Sequence, residues 1–213
     1  LAVELTDDAD NVVIADAIQI EKVNDDAPVA EASSVTTPED TSYTFGLAEF
    51  RFTDPNGDSL AGVQIMALET VGSLQLAGAD VIEGADITAA QLMAGELVFY
   101  PVADEYGMPY DSFQFKVHDG KVYSTLAATM TVNVDSVNDA PVAEASSVAT
   151  PEDTSYTFGI ADFAFNDAEG DNLAKVQITA LGTVGSLQLA GAEVTVGQEI
   201  TAAQIAAGNL VFV

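Results

Sequence analysis

Cysteine is absent from the 213 residues, and so is tryptophan. Without thiols the chain can form no disulfide, no thiolate metal site and no cysteine nucleophile. Such a composition suits a reducing cytosol or an exported chain that manages without covalent staples. Basic residues are almost missing as well. Lys22, Arg51, Lys116, Lys121 and Lys175 stand against 34 acids, for a net charge of −29. A surface that negative repels nucleic acid and anionic membranes, because both need Lys or Arg counter-charge. His118 is the sole histidine, so a histidine metal site or a Ser-His-Asp arrangement would rest on it alone. It stands just before Asp119-Gly120 and reads as an exposed residue at a strand end. No apolar run approaches the roughly 20 residues of a membrane-spanning helix. No signal peptide is visible either, but the sequence opens on Leu1 and not on Met, so nothing follows about export. What the chain does have is apolar material. At 48% hydrophobic residues it can build a packed core, which excludes simple disorder.

The chain also repeats itself. Asp26 to Tyr100 aligns without a gap to Asp139 to Val213, at an offset of 113 residues, with 55 of 75 positions identical. DAPVAEASSV occurs at 26–35 and 139–148, TPEDTSYTFG at 37–46 and 150–159, and TVGSLQLAGA at 70–79 and 183–192. The organisation that follows is a first unit over 24–137, a second, incomplete unit over 138–213, and the tail of a preceding β domain over 1–23. Val12–Val23 reads as the final strand of that tail. Unit two contains no counterpart of Pro101–Val137. It is therefore expected to be completed by chain beyond Val213 or by strands from another molecule.

Within a unit the local signals are those of an all-β module. Ser42–Phe45, Val63–Leu68, Ser73–Leu76, Leu97–Tyr100, Ser112–Val117 and Tyr123–Val134 are β-branched or aromatic and punctuated by Gly, Asn and Asp. Tandem Greek-key sandwiches of immunoglobulin type follow. One helical turn per unit is also expected. Thr88-Ala89-Ala90-Gln91 is a capping box closed by Gly95, and Thr201, Gln204 and Gly208 repeat it. The repeated aromatics Tyr43, Phe45, Phe50, Phe52 and Phe99 read as core. No catalytic residue and no organic cofactor site is assigned.

Most of the acids read as a solvated surface, but a subset gathers in turns and at the joins. Asn24-Asp25-Asp26-Ala27-Pro28 precedes unit one, and Asp135-Ser136-Val137-Asn138-Asp139-Ala140-Pro141 precedes unit two. Pro38-Glu39-Asp40 and Pro151-Glu152-Asp153 open the first strands. Asp54-Pro55-Asn56-Gly57-Asp58 and Asp167-Ala168-Glu169-Gly170-Asp171 are oxygen-rich turns, and Asp104, Glu105, Asp111 and Asp119 lie late in unit one. Carboxylates converging at one pole of a sandwich repel unless a cation lies between them. Calcium suits them because it takes six to eight oxygen ligands in flexible geometry. The turns are not EF-hands, since the position of the bidentate Glu is held by Ile65 or Ile178.

These motifs together resemble the cadherin-like tandem repeats of giant bacterial surface adhesins and biofilm proteins. The likeness is carried by the Asn-Asp-Ala-Pro joins, Pro-Glu-Asp-Thr, Asp-x-x-Gly-Asp-x-Leu, and Tyr106-Gly107…Asp111-Ser112-Phe113-x-Phe115-x-Val117-x-Asp119-Gly120. It implies calcium between successive domains. The candidates at the join are Glu39, Asp119, Asp135, Asn138 and Asp139, met by Asp167 and Asp171 of the next unit, with Asp54, Asp58 and Glu152 completing the ligand set. Two departures stand out. Asp135 lies one residue further from Asn138 than the cadherin spacing, and Lys22 replaces the leading Asp at the first join, which predicts weaker calcium there. Residues 5–21 are similar to the last strands of golvesin-type domains of secreted bacterial proteins. The function implied is a calcium-stiffened structural or adhesive segment of an extracellular, cell-surface fibre. Its partners would be neighbouring repeats, other copies in the fibre, and glycans or cell-surface ligands. The alternative is an accessory or carbohydrate-binding module of a secreted polysaccharide-degrading enzyme, with Tyr106, Tyr110 and Tyr123 as a sugar-stacking platform. A third reading attributes the acidity to a halophile's solvated surface.

Overall fold

The computed structural model describes residues 26–68 and 70–213, so the strand expected at Val12–Val23 and the golvesin-like stretch lie outside the described residues. Unit one is a two-layer sandwich. Its strands are β1 (Val29–Ala30), β2 (Ser33–Pro38), β3 (Tyr43–Phe45), β4 (Phe52–Thr53), β5 (Gly62–Ala67), β6 (Ser73–Leu76), β7 (Ala79–Asp80), β8 (Asp86–Thr88), β9 (Leu97–Tyr100), β10 (Gly107–His118) and β11 (Ala128–Asp135). One sheet has the order β2-β11-β10-β5-β8 and the other β3-β9-β6-β7, while β1 pairs with β4. Each sheet mixes consecutive neighbours, β10 with β11 and β6 with β7, with pairs distant in sequence such as β2 with β11 and β3 with β9, as in a Greek key. The all-β sandwich implied by the turn spacing is the fold observed.

The period of two along β10 and β11 explains their place in it. Phe113, Phe115 and Val117 of β10, and Met130, Val132 and Val134 of β11, all point inward and are buried. Across the layers the Phe113 ring meets Phe45 edge-on at 5.5 Å, and Phe115 meets Phe50 at 5.0 Å. Such aromatic pairs add to the area they bury. β11 then pairs in parallel with β2, from Met130 opposite Ser33 to Asp135 opposite Pro38. The last strand starts later than the composition suggested. Tyr123 makes only a bridge to His118, and Ser124 turns the chain by accepting from the Val117 N–H and donating to the Leu126 carbonyl. Both helical turns form as expected, α1 (Ala89–Met93) and its counterpart Ala202–Ala206. Gln91 donates its backbone N–H to Thr88 Oγ1, and Thr88 donates its own to Gln91 Oε1.

Unit two builds the equivalent of the smaller sheet, with Tyr156–Thr157, Leu210–Phe212, Leu187–Leu189 and Ala192–Glu193 in order, and pairs Lys175–Gln177 with Glu199–Thr201. Residues 139–213 hold no counterpart of β10 and β11, and the consequence reaches β2. Ser33-Ser34-Val35 is strand in unit one, whereas the identical Ser146-Ser147-Val148 is not. Val35 is 6% exposed and Val148 42%. Among the described residues the core shrinks from eighteen buried apolar side chains in unit one to four in unit two, Val194, Ile200, Ile205 and Leu210.

Phe115→Ala is expected to destabilise unit one by about 3–5 kcal/mol. Urea unfolding followed by tyrosine fluorescence should show the unit-one transition moved to lower denaturant, with the transition of unit two in place.

Candidate metal centre

The end of the β2–β11 ladder sets the first group. One residue past the last ladder pair, the Glu39 N–H donates to the Asp135 carbonyl at 2.8 Å. This brings the Glu39 side chain over the start of the linker, where it is 1% exposed. Its Oε1 accepts from the Val137 N–H at 2.5 Å. Asp40 and Asp104 follow on adjacent loops, both at φ 57°, a left-handed conformation that Asp tolerates better than most residues. The Asp104 N–H donates to Asp40 Oδ1 at 3.3 Å. From the second unit, Glu169 Oε2 accepts from the Asp139 N–H at 3.0 Å. Two trios result, Glu39-Asp139-Glu169 and Asp40-Asp104-Asp139, each with one oxygen per residue inside 4.8 Å of the others. Asp139 belongs to both.

A third trio, Asp54-Asp58-Asp119, lies at the opposite pole of unit one. Asp54 Oδ1 accepts from the N–H groups of Asn56 and Asp58, both at 2.9 Å, closing an Asx-type turn in which Gly57 takes φ 78°. Asp119 is 7% exposed, and its Oδ1 accepts from Lys121 and Val122 N–H, both at 2.7 Å. Lys121 Nζ approaches Asp58 Oδ2 at 2.6 Å and supplies one counter-charge. In unit two the turn repeats, with Asp171 N–H donating to Asp167 Oδ1 at 2.7 Å and Gly170 at φ 74°.

Among the described residues, the buried side-chain oxygens without a hydrogen-bond partner are Glu39 Oε2, Asp54 Oδ2, Asp119 Oδ2, Asp139 Oδ2 and Glu169 Oε1. All five belong to the trios. A buried carboxylate oxygen without a donor carries the full desolvation cost, and two like charges at such separations repel by about 3–4 kcal/mol at an effective dielectric of 20. The donors are all oxygens, with no imidazole or thiolate among them, which fits a hard cation of calcium type and not zinc or copper.

The acids respond to these surroundings in opposite directions. At Asp139, burial first, then Glu169, Asp104, Asp40 and Glu39, raise the pKa above the ordinary 3.8. At Asp119, burial pushes upward, but the backbone N–H groups of Val122, Lys121 and Asp119 itself outweigh it, with a smaller contribution from His118, and the pKa is lowered.

The residues expected at one join are thus divided. Asp104 and Asp119 bracket β10, whose twelve residues span about 36 Å. Asp119 therefore lies with Asp54 and Asp58, a strand's length from Glu39 and Asp139. Asp135 contributes its carbonyl to Glu39 and joins no trio, and Asn138 donates its side-chain amide to the Asp139 carbonyl at 2.9 Å. Asp167 and Asp171 close their turn on each other, while Glu152 is exposed. Asp40, Asp104 and Glu169 were not in the expected ligand set. The offset of 113 carried a signal for Glu169, since it stands where unit one has the oxygen-bearing Asn56, whose Oδ1 likewise accepts from the Asp26 N–H at 2.8 Å. The tyrosines do not gather. Tyr110 packs on Phe99 at 6.2 Å near the start of β10, whereas Tyr123 stacks on the half-buried His118 at 4.4 Å beyond its end and bonds Asp86.

A family model described as bacterial Ig domain matches residues 24–135. Integrin beta-like protein C of Dictyostelium discoideum is 32% identical over 112 residues, which is 49% of this chain and 6% of that protein. The chain thus spans a small fraction of that relative's length. An endo-fucoidan hydrolase of glycoside hydrolase family 107 aligns over 94% of this chain and 26% of its own, at 20% identity and a TM-score of 0.32, a likeness that carries no argument. Among the described residues no helix is long and apolar enough to cross a membrane.

The two shifted acids give opposite pH signatures in chelator. Between 3.8 and its raised native value, Asp139 holds more proton in the folded chain than in the unfolded one, so stability falls as pH rises through that window. Asp119 contributes stability above 3.8 that is lost as pH falls through its lowered native value. In melting curves between about pH 3 and 7, Asp139→Asn should remove the first slope. Asp119→Asn, which keeps an oxygen acceptor, should remove the second.

Proposed function

The chain belongs to the bacterial Ig domain family, and from that premise we propose that its units are consecutive repeats of a secreted or cell-surface fibre or adhesin, stiffened at their joins by calcium. Bacterial Ig-like domains are typically extracellular, structural and non-catalytic, and the similarity to a protein named integrin beta-like points the same way. The observation that carries the reading is the coincidence of the unpartnered buried carboxylate oxygens with the three acidic trios.

The mechanism follows from where the ligands are attached. Glu39, Asp40 and Asp104 are fixed to the end of unit one, Glu169 to the Asp167–Asp171 turn of unit two, and Asp139 lies between them. A hard divalent cation supplies the positive charge that lets these carboxylates stay ionised side by side. Glu39 clamps the linker through the Val137 N–H, and Glu169 clamps it through the Asp139 N–H, so the join is tied from both sides. Ordering each linker residue costs about 1–2 kcal/mol of conformational entropy, and binding that favours the ordered join offsets this cost by mass action.

Calcium is expected to raise the melting temperature of the chain and narrow its small-angle scattering distribution, and chelator should reverse both. Free calcium at 100 times its dissociation constant corresponds to about 2.7 kcal/mol per site. Glu169→Gln, which preserves the bond to the Asp139 N–H, should remove calcium binding at the join, as read by calorimetry. Identical melting and scattering in calcium and in chelator would overturn the reading and leave the acids as a solvated surface.

Lys121 offers a second check, on the trio at the other pole. Lys121→Met removes a tethered competitor from Asp58 and should tighten calcium at Asp54-Asp58-Asp119 by about two- to fivefold, the scale of an exposed ion pair.

A further inference from the structure

Of the eight asparagines in the chain, Asn56 alone is followed by glycine. The pair stands in the Asp54–Asp58 turn, and both residues are exposed. Gly57 takes φ 78°, and among the described residues no atom lies within 4 Å of where a Cβ on it would be. A glycine nitrogen has no neighbouring Cβ to shield it, and its backbone turns more freely than that of any other residue. The Asn56 side chain is prepared from the other side. Asp26 donates its N–H to Asn56 Oδ1 at 2.8 Å. That oxygen is where negative charge develops when the amide carbon is attacked, and a fixed N–H at this distance stabilises such an oxyanion. Asp54 holds the turn closed, its Oδ1 taking the N–H groups of Asn56 and Asp58, both at 2.9 Å. Unit two keeps this turn but not the amide. Glu169 and Gly170 stand at the same positions, displaced by 113 residues. Gly170 takes φ 74°, and Glu169 Oε2 accepts from the Asp139 N–H at 3.0 Å. The turn therefore accommodates a carboxylate at this position with its bond to the backbone in place.

We propose that Asn56 is a self-modification site, which loses its side-chain amide to give unit one the acid that unit two carries as Glu169. The Gly57 nitrogen yields its proton to hydroxide or water and attacks Asn56 Cγ. The new C–N bond closes a succinimide ring, the Cγ–Nδ2 bond breaks, and the side-chain nitrogen takes up a proton and leaves as ammonia. Water then opens the ring at either carbonyl. Opening between Cγ and the ring nitrogen leaves Asp, whose carboxylate takes over the Asp26 N–H. Opening at the backbone carbonyl leaves isoaspartate, which lengthens the main chain by a methylene carbon and draws the Asp58 N–H away from Asp54 Oδ1. The balance is water in and ammonia out, with no oxidant or reductant. Either product adds a negative charge to the turn that carries Asp54 and Asp58. Glu169 has no amide to lose, so the turn of unit two is spared. The proposal is independent of the metal reading, since neither step uses a cation.

The test is ageing of the full 213-residue chain in chelator at mildly alkaline pH, followed by cleavage after glutamate. The fragment 50–69 contains Asn56 and no other asparagine. Its mass is expected to rise by the difference between NH2 and OH, and isoaspartate should be detected in it by enzymatic methyl transfer. Conversion should be about tenfold or more faster than at any other asparagine, a barrier lower by about 1.4 kcal/mol. Asn56→Gln, which would have to close a larger ring, should leave the fragment unchanged. Asp26→Pro removes the N–H that faces Asn56 Oδ1. It should slow conversion by about two- to tenfold, the worth of a single hydrogen bond, with the melting temperature confirming that the unit is folded. An unchanged mass of fragment 50–69 would overturn the proposal, and so would conversion at Asn56 no faster than at Asn138 or Asn172. An unaltered rate in folded Asp26→Pro would overturn the part given to the Asp26 N–H.

Discussion

The parallel pairing of β11 with β2 is the interaction on which the rest of unit one depends. It is reached only because β10 brings β11 back across the sandwich, burying Phe113, Phe115, Met130 and Val132 on the way. With β2 in the ladder, Val35 enters the core, the Glu39 N–H meets the Asp135 carbonyl, and the Glu39 carboxylate is carried under the linker. Unit two repeats the residues without the hairpin. There Pro151-Glu152-Asp153 is the same tripeptide, but Glu152 is exposed and 146–151 forms no strand. One tertiary contact therefore decides both the shape of the sheet and whether an acidic residue is buried with one carboxylate oxygen bare.

That dependence gives the acidity of the chain two physical meanings. Most carboxylates lie at the surface, where water screens them and their effect is a long-range negative field. The few at the poles lie within 4.8 Å of one another, and in Glu39, Asp54, Asp119 and Glu169 backbone N–H groups fix one oxygen and leave the other bare. Asp54 shows the device in its simplest form, with one oxygen closing a turn and its second oxygen free to meet a cation. Glu39 repeats it on a strand end, and Glu169 on the following unit. On the proposed reading, a cation held by an acidic group divided between two units and an intervening linker would couple its binding to the geometry of the join.

Much of the fold was written in the amino-acid sequence. The offset of 113 residues, the alternation along β10 and β11, and the capping boxes at Thr88 and Thr201 are local patterns, and local patterns set strands, turns and helix ends directly. The involvement of Glu39, Asp54, Asp58 and Asp139 in acidic groups was also legible, because each lies in a short motif with a turn or strand end of its own. What the sequence could not apportion was which acids meet. Asp119 is near Asp104 along the chain but about 36 Å away across the length of β10, and close to Asp54 and Asp58, some sixty residues earlier. Asp40 and Glu169 fall into place only once two poles face each other. Ser-Ser-Val, identical in both units, is strand at 33–35 and open chain at 146–148. Its strand state requires ladder partners nearly a hundred residues away, and those are supplied by tertiary structure alone.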